Sequence, residues 1–145
     1  MNQLKIKIDL EDYTAGLSGI FEANGFSGFG EGWFNHKDII EFSRSLETLA
    51  NIMNGEAELI GGESKSDGSE YLECFGLRCY VISKTGIIGV HVTLSDRPYT
   101  DCRVKEILKV SGELRVEKQL ALTFAQELHD LCLGQVSEVL LVGSQ

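Results

Sequence analysis

Four cysteines and three histidines are the side chains here best suited to nucleophilic, acid–base or metal chemistry, and their spacing suits none of it. Cys74, Cys79, Cys102 and Cys132 form no CxxC pair. Cys74 and Cys79 differ by an odd number of positions, so a regular strand points them to opposite faces and away from a shared metal. No recognised nucleophile motif surrounds any of the four. His36, His91 and His129 stand singly, without the paired spacing of a structural zinc site. His129 falls in the last turns of a predicted helix, where a cation suits the dipole. His91 falls on the presumed exposed face of a strand. Gly25, Gly28, Gly30 and Gly32 resemble a phosphate-binding loop superficially, but no Lys-Ser/Thr follows and the alternating aromatics fit a strand better. The carboxylate pair Glu56 and Glu58 reads as a solvated strand face rather than a glycosidase pair. These readings predict no catalytic residue, no bound metal and no cofactor.

One constellation remains. In FSGFGEGWF, alternate residues face opposite ways, so Phe29, Glu31 and Trp33 share one face and Gly28, Gly30 and Gly32 the other. An acid flanked by two aromatics can anchor a basic partner, because aromatics dominate interface hot spots. The commoner fate of such a tryptophan is burial under a helix or beside a neighbouring strand. Several glycines on one strand face imply close approach by another backbone or by a ligand. Glu31, Trp33, Glu56 and Glu58 are the candidate partner-binding residues.

The elements that position them follow from hydrophobic periodicity. Leu4, Ile6, Ile8 and Leu10 alternate with charged residues, predicting a half-buried strand. A second strand over 17–23 meets the glycine-rich strand from 26 through Asn24-Gly25, a strong hairpin signal. A helix begins near Asn35, which can cap it, and carries Ile39, Phe42, Leu46, Leu49, Ala50 and Met53 as one apolar stripe. Asn54-Gly55 ends it. Strands are predicted over 56–60, 71–82, 87–94 and 102–116, with a polar loop at 61–70 and a loop around Pro98. In the last of these strands Val104, Leu108, Val110, Leu114 and Val116 are read as inward, with Glu106 as a break at a bulge or sheet edge. A second helix has Leu120, Phe124, Leu128 and Leu131 as its stripe and Gly134 as its stop, and 139–142 forms a short last strand. Short turns between strands predict an antiparallel meander sheet, with two amphipathic helices packed on one face. The fold class is α+β in one domain spanning residues 1–145, with no internal repeat evident.

Composition narrows the function classes. A chain of 145 residues with 43% hydrophobic and 24% charged residues resembles an ordinary globular protein. No apolar run reaches the roughly 20 residues that span a bilayer, and the N-terminal stretch has no signal-peptide core. A cytoplasmic protein with reduced thiols is the expectation. The formal net charge of −9 argues against general nucleic-acid binding and favours a basic partner.

The segments GFSGFGEGWFNHKDIIEFSRSLETLA, GEAELIGG, LRCYVISKTGIIGVHVTL and LALTFAQELHDLCLG, in that order, resemble the WapI-type immunity proteins and related small bacterial domains. The likeness is one of layout, covers most of the chain and carries over no active-site residue. It implies a non-enzymatic protein that binds and inhibits a cognate toxin domain. The alternative is a ligand-binding or oligomeric scaffold module, and the sequence leaves a homo-oligomer open.

Overall fold

The computed structural model describes residues 2–64, 71–97 and 103–144. Eight strands and two helices run in the order β1 (Gln3–Leu10), β2 (Thr14–Ala23), β3 (Phe26–Asn35), α1 (His36–Ile52), β4 (Glu56–Ser64), β5 (Tyr71–Ser83), β6 (Ile87–Ser95), β7 (Lys109–Glu117), α2 (Lys118–Cys132) and β8 (Glu138–Val142). The α+β class and the antiparallel pairing are as the sequence predicts. The strands divide, however, between two four-stranded sheets, ordered β3-β2-β1-β8 and β4-β5-β6-β7, where a single meander was expected. Local alternation marks each strand but not its distant partners, and β4 and β8 each cross from one meander to the edge of the other.

Both sheets turn their apolar faces inward. Leu4, Ile6, Leu17, Phe21 and Leu141 meet Phe75, Leu77, Val90, Val92 and Leu114 in one core. The helices close it, packed against each other and against β4 and β8. Ile39, Phe42, Ser43, Leu46, Leu49 and Ala50 are the buried face of α1. On α2 that face is Ala121, Phe124, Ala125, Leu128, Leu131 and Cys132. Leu120, read as part of the stripe, is exposed instead, because contact with α1 selects the face through Ala121 and Ala125.

The glycines of β3 have a specific purpose. This edge strand runs across the inner face of the second sheet and touches all four of its strands. A Cβ on Gly30 would lie 2.9 Å from both Leu94 Cβ and the Ser95 amide nitrogen, and closer still to the Cys74 carbonyl oxygen. The predicted close approach is therefore made by backbone of the same chain. Asn24 and Gly25, both at positive φ, form the hairpin turn that leads into β3.

The two halves of the chain repeat one topology. Each is a three-strand meander that passes without a loop into a helix and then into a strand that joins the other half's sheet. The inward residues match at a constant offset of 82 positions: Phe42 with Phe124, Leu46 with Leu128, Leu49 with Leu131, Leu59 with Leu141 and Gly61 with Gly143. No repeat was evident from the sequence, because the match is confined to a few inward positions.

The halves differ most at one connection. Asn24-Gly25 joins β2 to β3, whereas β6 and β7 are separated by residues 96–108. Val104–Glu106 forms a 3-10 turn there. The predicted strand thus starts at Lys109 rather than at 102; Val104 and Leu108 are exposed, and Glu106 pairs with Arg103 at 2.8 Å instead of marking a bulge. Pro98, Cys102 and residues 65–70 of the polar loop lie outside the described residues. At the start of α1, Asn35 holds the cap position but its side chain reaches Asp38 and caps no backbone amide. The His36 Nε2–H donates to the Thr14 carbonyl across 2.8 Å and ties the helix start to β2.

Candidate functional site

The outer face of the first sheet is built by register. Phe29 stands opposite Ile20, Ile20 opposite Lys5, and Lys5 opposite Leu140, so one row crosses all four strands. Outer faces of antiparallel sheets are ordinarily polar. Here Phe29, Ile20 and Leu140 are 53%, 42% and 48% exposed, and half-buried Lys5 lies between the last two. The next row holds Glu31, Ser18, Lys7 and Glu138. Trp33 lies one row further on, across from Gly16, its indole so close that a Cβ there would sit 3.1 Å from the ring. Trp33 thus packs beside the neighbouring strand β2, one of the fates the sequence suggests, yet it remains 47% exposed on this face. Glu31 is partly committed to Arg97 at 3.1 Å.

The predicted residues do not form one site. Glu31 and Trp33 lie on the outer face of the first sheet. Glu56 and Glu58 lie on the outer face of the second, where Glu58 stands opposite Arg78 and 3.7 Å from its guanidinium. Since both sheets turn their inner faces to one core, these outer faces point away from each other.

The outer face of the second sheet carries a polar cleft that sequence reading missed. Glu73, Arg78, His91, Thr93, Ser95, Lys109 and Ser111 line it with Val104 and Ile107 of the β6–β7 connection, around an open space of about 490 Å³. Glu73 and Arg78 form a two-pronged ion pair, with Nη2–Oε1 at 2.5 Å and Nη1–Oε2 at 3.1 Å. Burial alone would raise the Glu73 carboxyl, but the Arg78 hydrogen bonds and charge, aided by Thr93 and Lys109, hold it below the usual range. Arg78 is raised in turn, first by its hydrogen bonds to Glu73. The Ser95 hydroxyl donates to the Glu73 carbonyl across 2.8 Å, and Ser111 Oγ lies 3.3 Å from His91 Nε2. Tyr80 donates to Glu113 beside the cleft, and burial, followed by that carboxylate, pushes its phenol up to about 12.

Glu73 stays ionised and engaged with Arg78, so it is a poor general acid. The thiols of Cys74, Cys79 and Cys132 are buried away from the cleft, and desolvation pushes Cys79 up to about 12, against thiolate chemistry. No group of three or more metal-binding side chains occurs among the described residues. The sequence signal for the cleft was the run of alternating polar residues His91, Thr93, Ser95 and Lys109, Ser111, Glu113, which by itself reads as an ordinary wet face.

Comparison of the chain with protein-family models, with curated proteins and with solved structures finds no match. No helix is long and apolar enough to cross a membrane, among the described residues.

Proposed function

We propose that the protein is a non-enzymatic binding protein whose outer first sheet is the docking face for a basic protein partner. Phe29, Ile20, Leu140 and Trp33 are its anchors, and Glu31 and Glu138 the charges beside them. The observation that carries this reading is one row on a face that faces water, in which three of the four strands present a large apolar side chain and β1 presents Lys5. Isolated exposed apolar residues are common, but a contiguous set on one sheet face suits an interface.

The internal repeat sharpens the point. At the same offset of 82, Phe29 corresponds to Ser111 and Trp33 to Arg115, while the inward pairs named above are alike in both halves. Core packing, which accounts for Phe34 of β3, therefore does not account for Phe29 and Trp33. The net charge of −9 supports a basic partner, through faster encounter at low salt. The layout resemblance to WapI-type immunity proteins supports the narrower reading, inhibition of a toxin domain encoded beside this chain, in the cytoplasm.

The test is co-expression with the C-terminal domain of a toxin encoded next to it. Rescue of growth and a complex on a sizing column are expected, and both should be lost in a Phe29→Asp/Leu140→Asp variant that keeps its melting temperature. Absence of rescue and of complex would refute the immunity reading. A complex unaffected by the double variant would refute the assigned face.

A further inference from the structure

The cleft goes beyond this reading, since it lies on the outer second sheet; only Ile107 and Lys109, at its rim, also border Phe29 of the proposed docking surface. Three observations make it more than a wet strand face. First, it exists only where the two halves differ: residues 96–108 replace a two-residue turn, and long connections in compact domains are commonly functional. Second, Val104 and Ile107 of that connection line it, and Thr93 and Ser95, on the solvent side of β6, are only 4% and 5% exposed. Third, its acids are already engaged while donors remain. Both Glu73 oxygens face Arg78, Glu58 leans on the same guanidinium, and Glu113 accepts from Tyr80. Lys109 acts on Glu73 only through longer-range charge and has no ion-pair partner within 4.0 Å among the described residues, and the Ser111 and His91 side chains hydrogen-bond to each other.

A site with surplus donors and an apolar wall on one side selects for an anion with a hydrocarbon body. We propose that this cleft binds a small organic acid, its carboxylate held by Lys109, Ser111 and His91 and its apolar body against Val104 and Ile107. The space in this open cleft, about 490 Å³, is within the usual range for small-molecule sites.

The experiment is an NMR titration of the whole chain with sodium hexanoate, compared with hexylamine and inorganic phosphate. Hexanoate should shift the amide signals of His91, Val104, Ile107, Lys109 and Ser111. Hexylamine should leave them unmoved, and phosphate should bind about tenfold more weakly for want of an apolar body. Lys109→Gln should weaken hexanoate binding by about tenfold, the scale of one charged hydrogen bond. Lys109 is exposed, so the variant should keep its spectrum elsewhere; Ser111→Ala gives the same reading if it does not. The proposal is overturned if hexanoate shifts no signals, if its shifts fall on Ile20 and Leu140, if hexylamine or phosphate binds equally well, or if both variants bind hexanoate as the parent does.

Discussion

Glu73 shows how one side chain can set a pH limit on the fold. Its carboxyl is lowered from an ordinary 4.5 because Arg78 and Thr93 outweigh the cost of burial. A depressed carboxylate contributes stability that is present in full above its unfolded value and is lost as pH falls through its folded one. The melting temperature should therefore drop as pH falls below about 4.5, and Glu73→Gln should lower it near neutrality while flattening that acid limb. An unchanged acid limb in the variant would contradict the assignment. Gly30 makes a steric point rather than an electrostatic one. Because a Cβ there would press on Leu94, Ser95 and the Cys74 carbonyl, Gly30→Ala should destabilise by about 1–3 kcal/mol in chemical denaturation. Cys79 is a third residue-scale case. Burial holds its thiol near 12, so alkylation followed by mass spectrometry should label it only under unfolding conditions.

At the scale of elements, the paired helices are the strongest sign that the chain is built twice. Leu46 and Leu128 are fully buried at equivalent positions, and truncating either to alanine should cost about 2–5 kcal/mol. A denaturation midpoint that moved for one and not for the other would show that the halves are not packed equivalently. Periodicity was enough to read both helices, the Asn24-Gly25 turn and most strands, because each depends on neighbours two to four positions away. It was also enough to infer close approach at Gly28, Gly30 and Gly32. The division into two sheets was not legible, since it depends on β4 pairing with β5 and β8 returning to β1. Nor was the β6–β7 connection: Val104 and Leu108 alternate as a strand would, yet Leu108 is 73% exposed beyond a 3-10 turn. The candidate site was legible only in part. Phe29, Glu31 and Trp33 do share an exposed face, but Ile20 and Leu140 join them only through register, and Glu56 and Glu58 lie on the other sheet.

Viewed whole, the molecule has one shared core and two unlike outer faces. One face presents apolar side chains on three strands of a row, and the other holds a polar cleft beside Val104 and Ile107. The inner residues are explained by packing, whereas the contrast between Phe29 and Ser111, or Trp33 and Arg115, is not. An excess of negative charge should make association with a basic partner fall in rate as salt is added, by screening of long-range attraction. The most direct test of the central claim measures binding and stability together for Phe29→Asp/Leu140→Asp, using the co-expressed toxin domain as partner. The account predicts a melting temperature close to that of the parent, no complex on the sizing column and no growth rescue. A variant that is equally stable and still forms the complex would contradict it.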